Sequence, residues 1–126
     1  MHKSQLGGLI IDCQTDDIDR AAAFWSAALG LKAVAEPRTD ISIYRHLETR
    51  PEEIPIEVQK VDHASRVHLD IETDDIEAEA TRLECLGAKR IDDIHSWVVM
   101  EAPTGQRFCL VNPQRANFDQ AANRWD

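Results

Sequence analysis

The chain has 126 residues, of which 43% are hydrophobic and 29% charged, and this predicts one soluble globular domain rather than a disordered or fibrous chain. The formal net charge of −9 argues against nucleic acid and anionic membranes as partners, because both are bound through clustered Lys and Arg. The three cysteines form no CxxC pair, the first residues predict no secretory signal, and no apolar run approaches the ~18 residues of a membrane span. We therefore expect a reduced, cytoplasmic protein.

An internal repeat organises the sequence. Residues 9–25 read LIIDCQTDDIDRAAAFW and residues 67–83 read VHLDIETDDIEAEATRL, with six of 17 positions identical and four consecutive identities at TDDI. The offset of 58 residues is nearly half the chain, which predicts two fused copies of one unit rather than a solenoid. The predicted organisation is a single domain over residues 1–126, with module one at about 7–61, module two at about 66–113 and a C-terminal tail at 114–126.

Module one has the pattern of a strand, a helix and three further strands. Residues 9–14 alternate between apolar and other side chains, which predicts a strand with one apolar face. Asp16 is the candidate N-cap of a helix with one apolar stripe, and this helix is predicted to end at Gly30. The further strands are predicted at Lys32–Glu36, Ile41–Leu47 and Pro55–Val61.

Module two repeats this order. Residues 67–72 alternate as residues 9–14 do, and Asp74 is the candidate N-cap, with Glu77 completing a capping box. Gly87 is predicted to end the second helix. The further strands are predicted at Ala88–Asp92, Ser96–Glu101 and Arg107–Asn112.

The C-terminal tail is polar, with four apolar residues at helical spacing. They are Phe118, Ala121, Ala122 and Trp125, and they predict a short helix docked on the body of the protein or on a partner subunit. The histidines outside the predicted elements, His2, His63 and His95, are expected to be solvated.

The two halves, the TDDI turns, the helices ending in Leu-Gly and the closing segment APTGQRFCLV together resemble the vicinal oxygen chelate superfamily. Within it, AFWSAALGL and RVHLDI resemble uncharacterised glyoxalase-like domains over about residues 7–113. The segment APTGQRF is similar to the pattern DP-x-G-x-x-[FI], with Ala102 in place of the usual Asp. The resemblance implies an α+β fold in which two tandem βαβββ modules form a half-open barrel-like sheet with a central cleft. The alternative, a ferredoxin-like dimeric barrel, has fewer strands than the sequence predicts.

In metal-dependent members of this superfamily, the ligands lie on the first and last strands of each half. The resemblance places one histidine ligand at His68, but the equivalent position of the first half is Ile10, which cannot coordinate a metal. The closing-strand ligand, usually glutamate, falls on Cys109, and Glu57 is the candidate on the last strand of module one. The resemblance therefore implies His68, Glu57 and Cys109 as metal ligands, and both one divalent metal ion and none remain open.

Strand alternation predicts which side chains line the cleft. If the aliphatic face of each strand packs on the helices, the opposite face carries the polar side chains. The predicted substrate-binding residues are Asp12, Tyr44, His46, Gln59, Trp97 and Arg107. Carboxylates, imidazoles and aromatic rings on one surface are typical of a small-molecule pocket.

His68 and Asp70 are the predicted catalytic residues, because they lie two positions apart on one strand face, about 7 Å between Cα atoms. His68 would be a general base or a metal ligand, with Asp70 biasing its protonation state. The alternative is a histidine that satisfies a carboxylate without chemistry. Asp12 and Asp70 are equivalent in the repeat, and we expect them either to share a proton or cation or to hold the two halves together.

The leading hypothesis is a small-molecule enzyme of the glyoxalase or dioxygenase type, a metal-dependent lyase or dioxygenase acting at His68. The alternative is a metal-free drug-binding protein of the bleomycin-resistance type, for which an acidic cleft would suit a cationic ligand. A third alternative is a regulatory or structural domain with a vestigial cleft. Duplicated modules of this kind often associate, so a homodimer is expected.

Overall fold

The computed structural model describes residues 1–35, 43–94 and 96–126 and has an α+β fold, as predicted. The strands there are β1 (His2–Gln14), β2 (Ala33–Ala35), β3 (Tyr44–Leu47), β4 (Ile56–Val61), β5 (Arg66–Thr73), β6 (Lys89–Ile94), β7 (Trp97–Glu101), β8 (Arg107–Val111) and β9 (Asn123–Trp125). The helices there are α1 (Ile18–Leu29), α2 (Ile76–Cys85) and α3 (Phe118–Ala121). None of the described helices has both the length and the apolar character that crossing a bilayer requires.

The chain divides into two compact units. Unit 1 consists of Met1–Gly7 and His68–Asp126, and unit 2 consists of Gly8–Val67. Strand β1 therefore begins in unit 1 and ends in unit 2, so the first residues of the chain fold with the second half. The repeat starts at residue 9 and therefore does not predict that Met1–Gly7 belongs to unit 1.

Unit 2 contains α1 and the strand order β2-β3-β4-β1. β1 and β4 are parallel, and β3 is antiparallel to both β4 and β2. α1 covers one face of these strands, where Ile18 packs with Leu47 and Val58 and the Trp25 side chain borders them. The predicted strand Ile41–Leu47 begins at Tyr44, and the part of it before Ile43, like Glu36, lies outside the described residues.

Unit 1 repeats this arrangement with α2 and the strand order β5-β8-β7-β6. β5 and β8 are parallel, and β7 is antiparallel to β8 and β6. α2 packs Ala80 and Leu83 against Val98, Met100 and Leu110. In both units the helix therefore covers one strand face, and the alternating side chains of the other face form a separate surface.

The helix N-caps lie one residue later than predicted. Asp17 caps α1 by accepting a hydrogen bond from the Arg20 amide, and Asp75 caps α2 in the same way from Ala78. The predicted caps Asp16 and Asp74 are wrong because the hydroxyl of the preceding threonine takes part in the turn. Each hydroxyl accepts a bond from the amide of the second aspartate, at 3.0 Å for Thr15 and 3.1 Å for Thr73. The predicted helix ends are confirmed. Gly30 and Gly87 have φ values of +69° and +104°, in the region that favours glycine at the end of a helix.

The C-terminal tail differs from the predicted helix. Helix α3 ends at Ala121, and the chain then forms β9, which pairs antiparallel with His2–Ser4 of β1. Trp125 Nε1 donates to Ser4 Oγ at 2.8 Å, and its ring lies under the Arg82 guanidinium at 3.8 Å. The start of β1 has backbone N–H and C=O groups that can pair with another strand. An extended tail therefore satisfies more backbone hydrogen-bonding groups than a longer helix would.

His2 is buried rather than solvated, which corrects the prediction. Its Nε2 lies 2.7 Å from Glu79 Oε1, and Glu79 also accepts two hydrogen bonds from Arg82 at 2.8 and 2.9 Å. Burial opposes ionisation of Glu79, but the bonds from Arg82, His2 and Ser4 and the charge of Arg82 hold the pKa of its carboxyl below the ordinary value. This cluster joins β1, α2 and β9 within unit 1. His95 lies outside the described residues.

Candidate functional site

The face of unit 1 opposite α2 carries side chains that can coordinate a metal or exchange a proton. Cys109 of β8 lies between Asp70 of β5 and Val99 of β7 in the strand register. Arg107 lies two residues before Cys109 and opposite Glu101. All five side chains are half-buried, so they form a sheltered but accessible surface. This polar strand face of unit 1 is the first candidate site.

Three donor atoms converge on this face. His68 Nε2 lies 3.4 Å from Asp70 Oδ1, and the ligand atoms of His68, Asp70 and Cys109 all lie within 4.8 Å of one another. Among the described residues, no other group of three His, Cys, Asp or Glu side chains converges in this way. The side chains of His68 and Asp70 are 12% and 20% exposed, so their donor atoms are partly withdrawn from bulk water.

The donor set fits a divalent metal. An imidazole, a carboxylate and a thiolate provide three ligands, the number that catalytic zinc sites use while keeping the fourth position open. Metal–ligand bonds of about 2.0–2.3 Å bring neighbouring ligand atoms to roughly 3.3–3.8 Å, which matches the His68–Asp70 distance and requires small side-chain rotations elsewhere. The thiolate favours zinc, cobalt or iron over magnesium, calcium or manganese, which prefer oxygen ligands.

Arg107 adds a positive charge beside this donor cluster. Its Nε donates to Glu101 Oε1 at 3.2 Å, and this is the only hydrogen bond of the Arg107 side chain to the part of the chain that the structure describes. Both side chains are about one-third exposed. On the same face, Val99 and Trp97 of β7 offer apolar and aromatic surface, while Val98 and Met100 point into the core under α2. Alternation therefore assigns Trp97 to the polar strand face, while its role in binding a substrate stays a prediction.

At the other end of the same face, Glu72 has a structural role. Glu72 of β5 is fully buried and accepts hydrogen bonds from the amides of Gln114 and Arg115 at 2.6 and 3.0 Å. Its second oxygen accepts from Gln5 Nε2 at 2.6 Å. These bonds fix the segment after β8 and leave Glu72 engaged in holding the chain.

Unit 2 gathers a second set of the predicted residues. Tyr44 and His46 of β3 lie opposite Gln59 and Glu57 of β4, and Gln59 Nε2 donates to Tyr44 Oη at 3.2 Å. Asp12 lies next to Gln59 in the register. Asp12 is buried, and its Oδ2 lies 3.9 Å from Arg66 Nε.

A groove of about 760 Å³ opens in unit 2 at the carboxyl ends of β1 and β4. Its size falls within the range of small-molecule sites. Its polar lining includes Gln14, Asp16, Gln59, Lys60 and His63. Gln59 therefore borders both this groove and the Tyr44 side chain.

The structure thus sorts the predicted site residues by unit. His68, Asp70, Trp97, Arg107 and Cys109 lie in unit 1, and Asp12, Tyr44, His46, Glu57 and Gln59 lie in unit 2. Within unit 1, Asp70 rather than Glu57 completes a set of three donors with His68 and Cys109. Sequence reasoning assigned Asp70 to proton chemistry, or to sharing a proton or cation with Asp12, and did not group it with His68 and Cys109 as a metal ligand, although its two-residue spacing from His68 was the available signal. Glu57 as a ligand stays a prediction.

Comparison with known families identifies the chain. The sequence model for the glyoxalase-like domain matches residues 8–111. The chain belongs to the glyoxalase-like domain family. The match, together with the folds of its structural neighbours, places it in the vicinal oxygen chelate superfamily, which confirms the resemblance seen in the sequence. No curated protein shows significant sequence similarity to it.

Solved structures with the same fold have distant sequences. A hypothetical protein from Bacillus halodurans C-125 superposes with a TM-score of 0.64 at 15% identity, covering 88% of this chain and 95% of that one. The Mn(II)-bound glyoxalase from Novosphingobium aromaticivorans gives 0.59 at 14% identity, covering 90% and 42%. Methylmalonyl-CoA epimerase from Streptomyces coelicolor gives 0.57 at 15% identity, covering 86% and 94%. At these identities the likeness shows the fold alone.

Proposed function

We propose that this glyoxalase-like protein is a small-molecule enzyme that uses a divalent metal held by His68, Asp70 and Cys109. The observation that carries the proposal is the convergence of these three donor atoms within 4.8 Å on one strand face. The fold supports it, because similar folds occur in a Mn(II)-bound glyoxalase and an extradiol dioxygenase.

A bound metal would supply Lewis-acid polarisation of a substrate oxygen. The residues of the chain provide the rest of the site. Asp70 Oδ1 and His68 Nε2 lie 3.4 Å apart, which is close enough for both atoms to coordinate one metal ion. We therefore assign both side chains as metal ligands in this proposal. Three protein ligands leave a position for a substrate oxygen, and the partial burial of His68 and Asp70 strengthens electrostatic interactions there.

A metal-free binding protein is the second candidate function. Ile10, at the position where the resemblance places a ligand in the first half, is 4% exposed and has no donor atom. The net charge of −9 would also attract a cationic ligand. In this function His68 and Asp70 would form only an ion pair, and Cys109 would be a packed thiol.

Metal content distinguishes the two functions. The protein is purified without a His tag, analysed by elemental mass spectrometry and titrated with zinc and cobalt while its thermal unfolding is followed. About one metal per chain, together with a raised unfolding temperature, is expected for the enzyme. The variants His68→Ala and Cys109→Ala should each lose the metal.

Two control variants test whether loss of the metal is specific to the donor cluster. His63→Ala removes a half-buried histidine of unit 2, and Cys85→Ser removes an exposed thiol of α2, and both should retain the metal. If the wild-type protein binds no metal and gains no stability from one, the enzyme proposal is wrong and the binding protein is favoured. Screening would then turn to cationic ligands.

A further inference from the structure

Helix α1 has an apolar face that points away from its own strands. After the first turn, every exposed residue of the helix is apolar, and these residues are Ala23, Phe24, Ala27, Ala28 and Leu29. The first four are spaced three and four residues apart, so they form one surface, the outer face of α1. A surface helix normally carries polar residues on the side away from the core, and a helix that is apolar all round is buried. The outer face of α1 therefore has the composition of a surface that another molecule covers.

The second helix of the repeat shows that the fold does not require this composition. α2 packs on its own strands as α1 does, and its exposed residues are Glu77, Thr81, Glu84 and Cys85. Three of these four side chains are polar or charged, as is typical of a solvated helix face. The apolar outer face of α1 is therefore specific to this copy, and the packing of the unit alone does not explain it.

Phe24 is the largest side chain of the outer face, and it is held in position. Its ring lies 5.1 Å from the Trp25 ring between centroids, at an interplanar angle of 87°. Trp25 packs against the core of unit 2, so it supports the Phe24 ring from below while 62% of Phe24 stays exposed. An aromatic side chain that is ordered before binding loses little conformational entropy on association, and such side chains are typical anchors of interfaces.

The outer face of α1 is complementary in shape to a second copy of itself in antiparallel orientation. Phe24 lies at the middle of the helix Ile18–Leu29, so a twofold axis at this residue would bring Phe24 of the two copies into contact. The neighbouring alanines have side chains that end at Cβ. They therefore allow the two helix backbones to approach closely on both sides of the axis.

Charge is complementary in the same orientation. Arg20 is exposed at the start of the outer face, and its side chain has no hydrogen bond or ion pair with the residues that the structure describes. The last turn of α1 carries the negative end of the helix dipole and contains no basic residue. In an antiparallel pair, Arg20 of each copy lies near Ala28 in the last turn of the other and supplies the missing positive charge. A parallel pair would instead place the two Arg20 side chains together.

We propose that this chain forms a homodimer in which α1 packs antiparallel on α1 of a second copy, with Phe24 at the twofold axis. The helix has 12 residues and is about 18 Å long, so its contact is smaller than the ~800 Å² per partner of a standard stable interface. We therefore expect a reversible dimer with a Kd between about 1 μM and about 1 mM. Because α1 belongs to unit 2, the inference does not rest on a metal at the donor cluster of unit 1.

Sedimentation velocity at protein concentrations from about 1 μM to about 1 mM, in about 0.15 M salt, tests the inference. The wild-type protein should change from monomer to dimer within this range. Phe24→Glu places two carboxylates at the axis and should weaken the dimer by roughly thirtyfold or more, the scale of a lost interface hot spot. Leu86→Glu is the matched control, because Leu86 is 66% exposed at the end of α2, and it should leave the Kd unchanged.

Two further variants test the orientation of the helices. Arg20→Glu puts a negative charge against the last turn of the other helix and should weaken the dimer by at least roughly threefold. The double variant Arg20→Glu/Ala28→Arg should recover the wild-type Kd, because opposite charges then face each other across the antiparallel interface. Positions 20 and 28 are about 12 Å apart along one helix, so the two side chains do not pair directly within one copy. A double variant that stays as weak as Arg20→Glu would overturn the antiparallel arrangement.

Circular dichroism and urea unfolding check that each variant is folded, as expected for substitutions at exposed positions. A wild-type protein that is still monomeric at about 1 mM would overturn the inference and leave the outer face for a partner other than this chain. A dimer that Phe24→Glu leaves intact would overturn it as well, since the contact would then lie on another surface. Phe24→Glu should keep the metal content of the wild-type protein, so the dimer and the proposed function are judged by separate measurements.

Discussion

Asp70 of β5 is the register partner of Cys109 on β8, so a carboxylate and a thiol project from neighbouring parallel strands on the same side of unit 1. His68 completes the group from two residues along β5. The register of one strand pair is therefore what makes the donor cluster.

The role of Cys109 as a ligand predicts a spectroscopic result. Cobalt bound to the wild-type protein should show thiolate-to-metal charge-transfer absorption in the near ultraviolet, and Cys109→Ser should lose it. Loss of a partner outside the first ligand shell typically costs 10–100-fold in metal affinity, so loss of a direct ligand should weaken zinc binding by at least roughly that factor. Cys85→Ser, in which an exposed thiol is changed, should keep both the band and the affinity. An unchanged band in Cys109→Ser would exclude the thiol as a ligand.

The buried cluster around Glu79 predicts a large effect on stability. Glu79→Ala leaves Arg82 and His2 without their shared acceptor, and breaking a buried ion pair in this way costs about 3–5 kcal/mol. Urea unfolding at neutral pH measures the change. Glu77→Ala is the matched control, because Glu77 is an exposed glutamate of the same helix that pairs with Arg90, and it should change stability little. Equal effects of the two variants would contradict the importance of the buried cluster.

Glu79 also predicts how stability depends on pH. The pKa of its carboxyl is lowered in the folded state from an ordinary value of 4.5. The stabilisation is therefore present above about pH 4.5 and is lost as the pH falls through the lower folded pKa, because the unfolded state takes up the proton first. The difference in unfolding free energy between the wild-type protein and Glu79→Gln should shrink over this acidic range. A difference that stays constant down to pH 3 would show that Glu79 is not the group responsible.

The docking of the tail through Trp125 predicts graded losses. Trp125→Phe keeps a ring under Arg82 but removes the hydrogen bond to Ser4, which should cost about 1 kcal/mol. Trp125→Ala also loses the cation–π contact and the packing of the half-buried ring, so its loss should be larger, about 2–4 kcal/mol. Protection of the β9 amides from hydrogen exchange should fall in the same order. Identical behaviour of Phe and Ala would mean that the ring contact contributes nothing.

The architecture was predictable because its determinants are local and repeated. Alternating side chains in residues 9–14 and 67–72 and glycines after both helices predict the two strand–helix–strand units without any knowledge of long-range contacts. The start of β1 was missed because His2–Ser4 has no apolar alternation, and its burial depends on polar partners. Those partners are Glu79 and Trp125, 77 and 121 residues away from His2 and Ser4.

The candidate site was predictable only in part. Alternation assigns His68, Cys109 and Arg107 to the polar face, since the spacing of apolar and polar residues along each strand is local. Which residues of β5 lie beside which residues of β8 depends on the register between the two strands, and no local sequence pattern encodes this register. Asp70 as the third donor therefore emerges from the structure, whereas the assignment of Glu57 to that role came from the resemblance together with strand alternation.

The corrected N-caps give the most direct test of the fold at single residues. In α1, Asp17 accepts a hydrogen bond from the Arg20 amide at 3.1 Å, and Thr15 fixes the preceding turn. Asp17→Ala should destabilise the protein by about 0.5–2 kcal/mol, because an amide of the first turn loses its acceptor and the helix dipole loses a favourable charge. Asp16→Ala is the matched control one residue away, where the carboxylate is exposed and makes no capping bond in the described structure, and it should change stability by much less. Urea midpoints of the two variants decide between the positions, and a larger loss for Asp16→Ala would return the cap to the residue that the sequence first indicated.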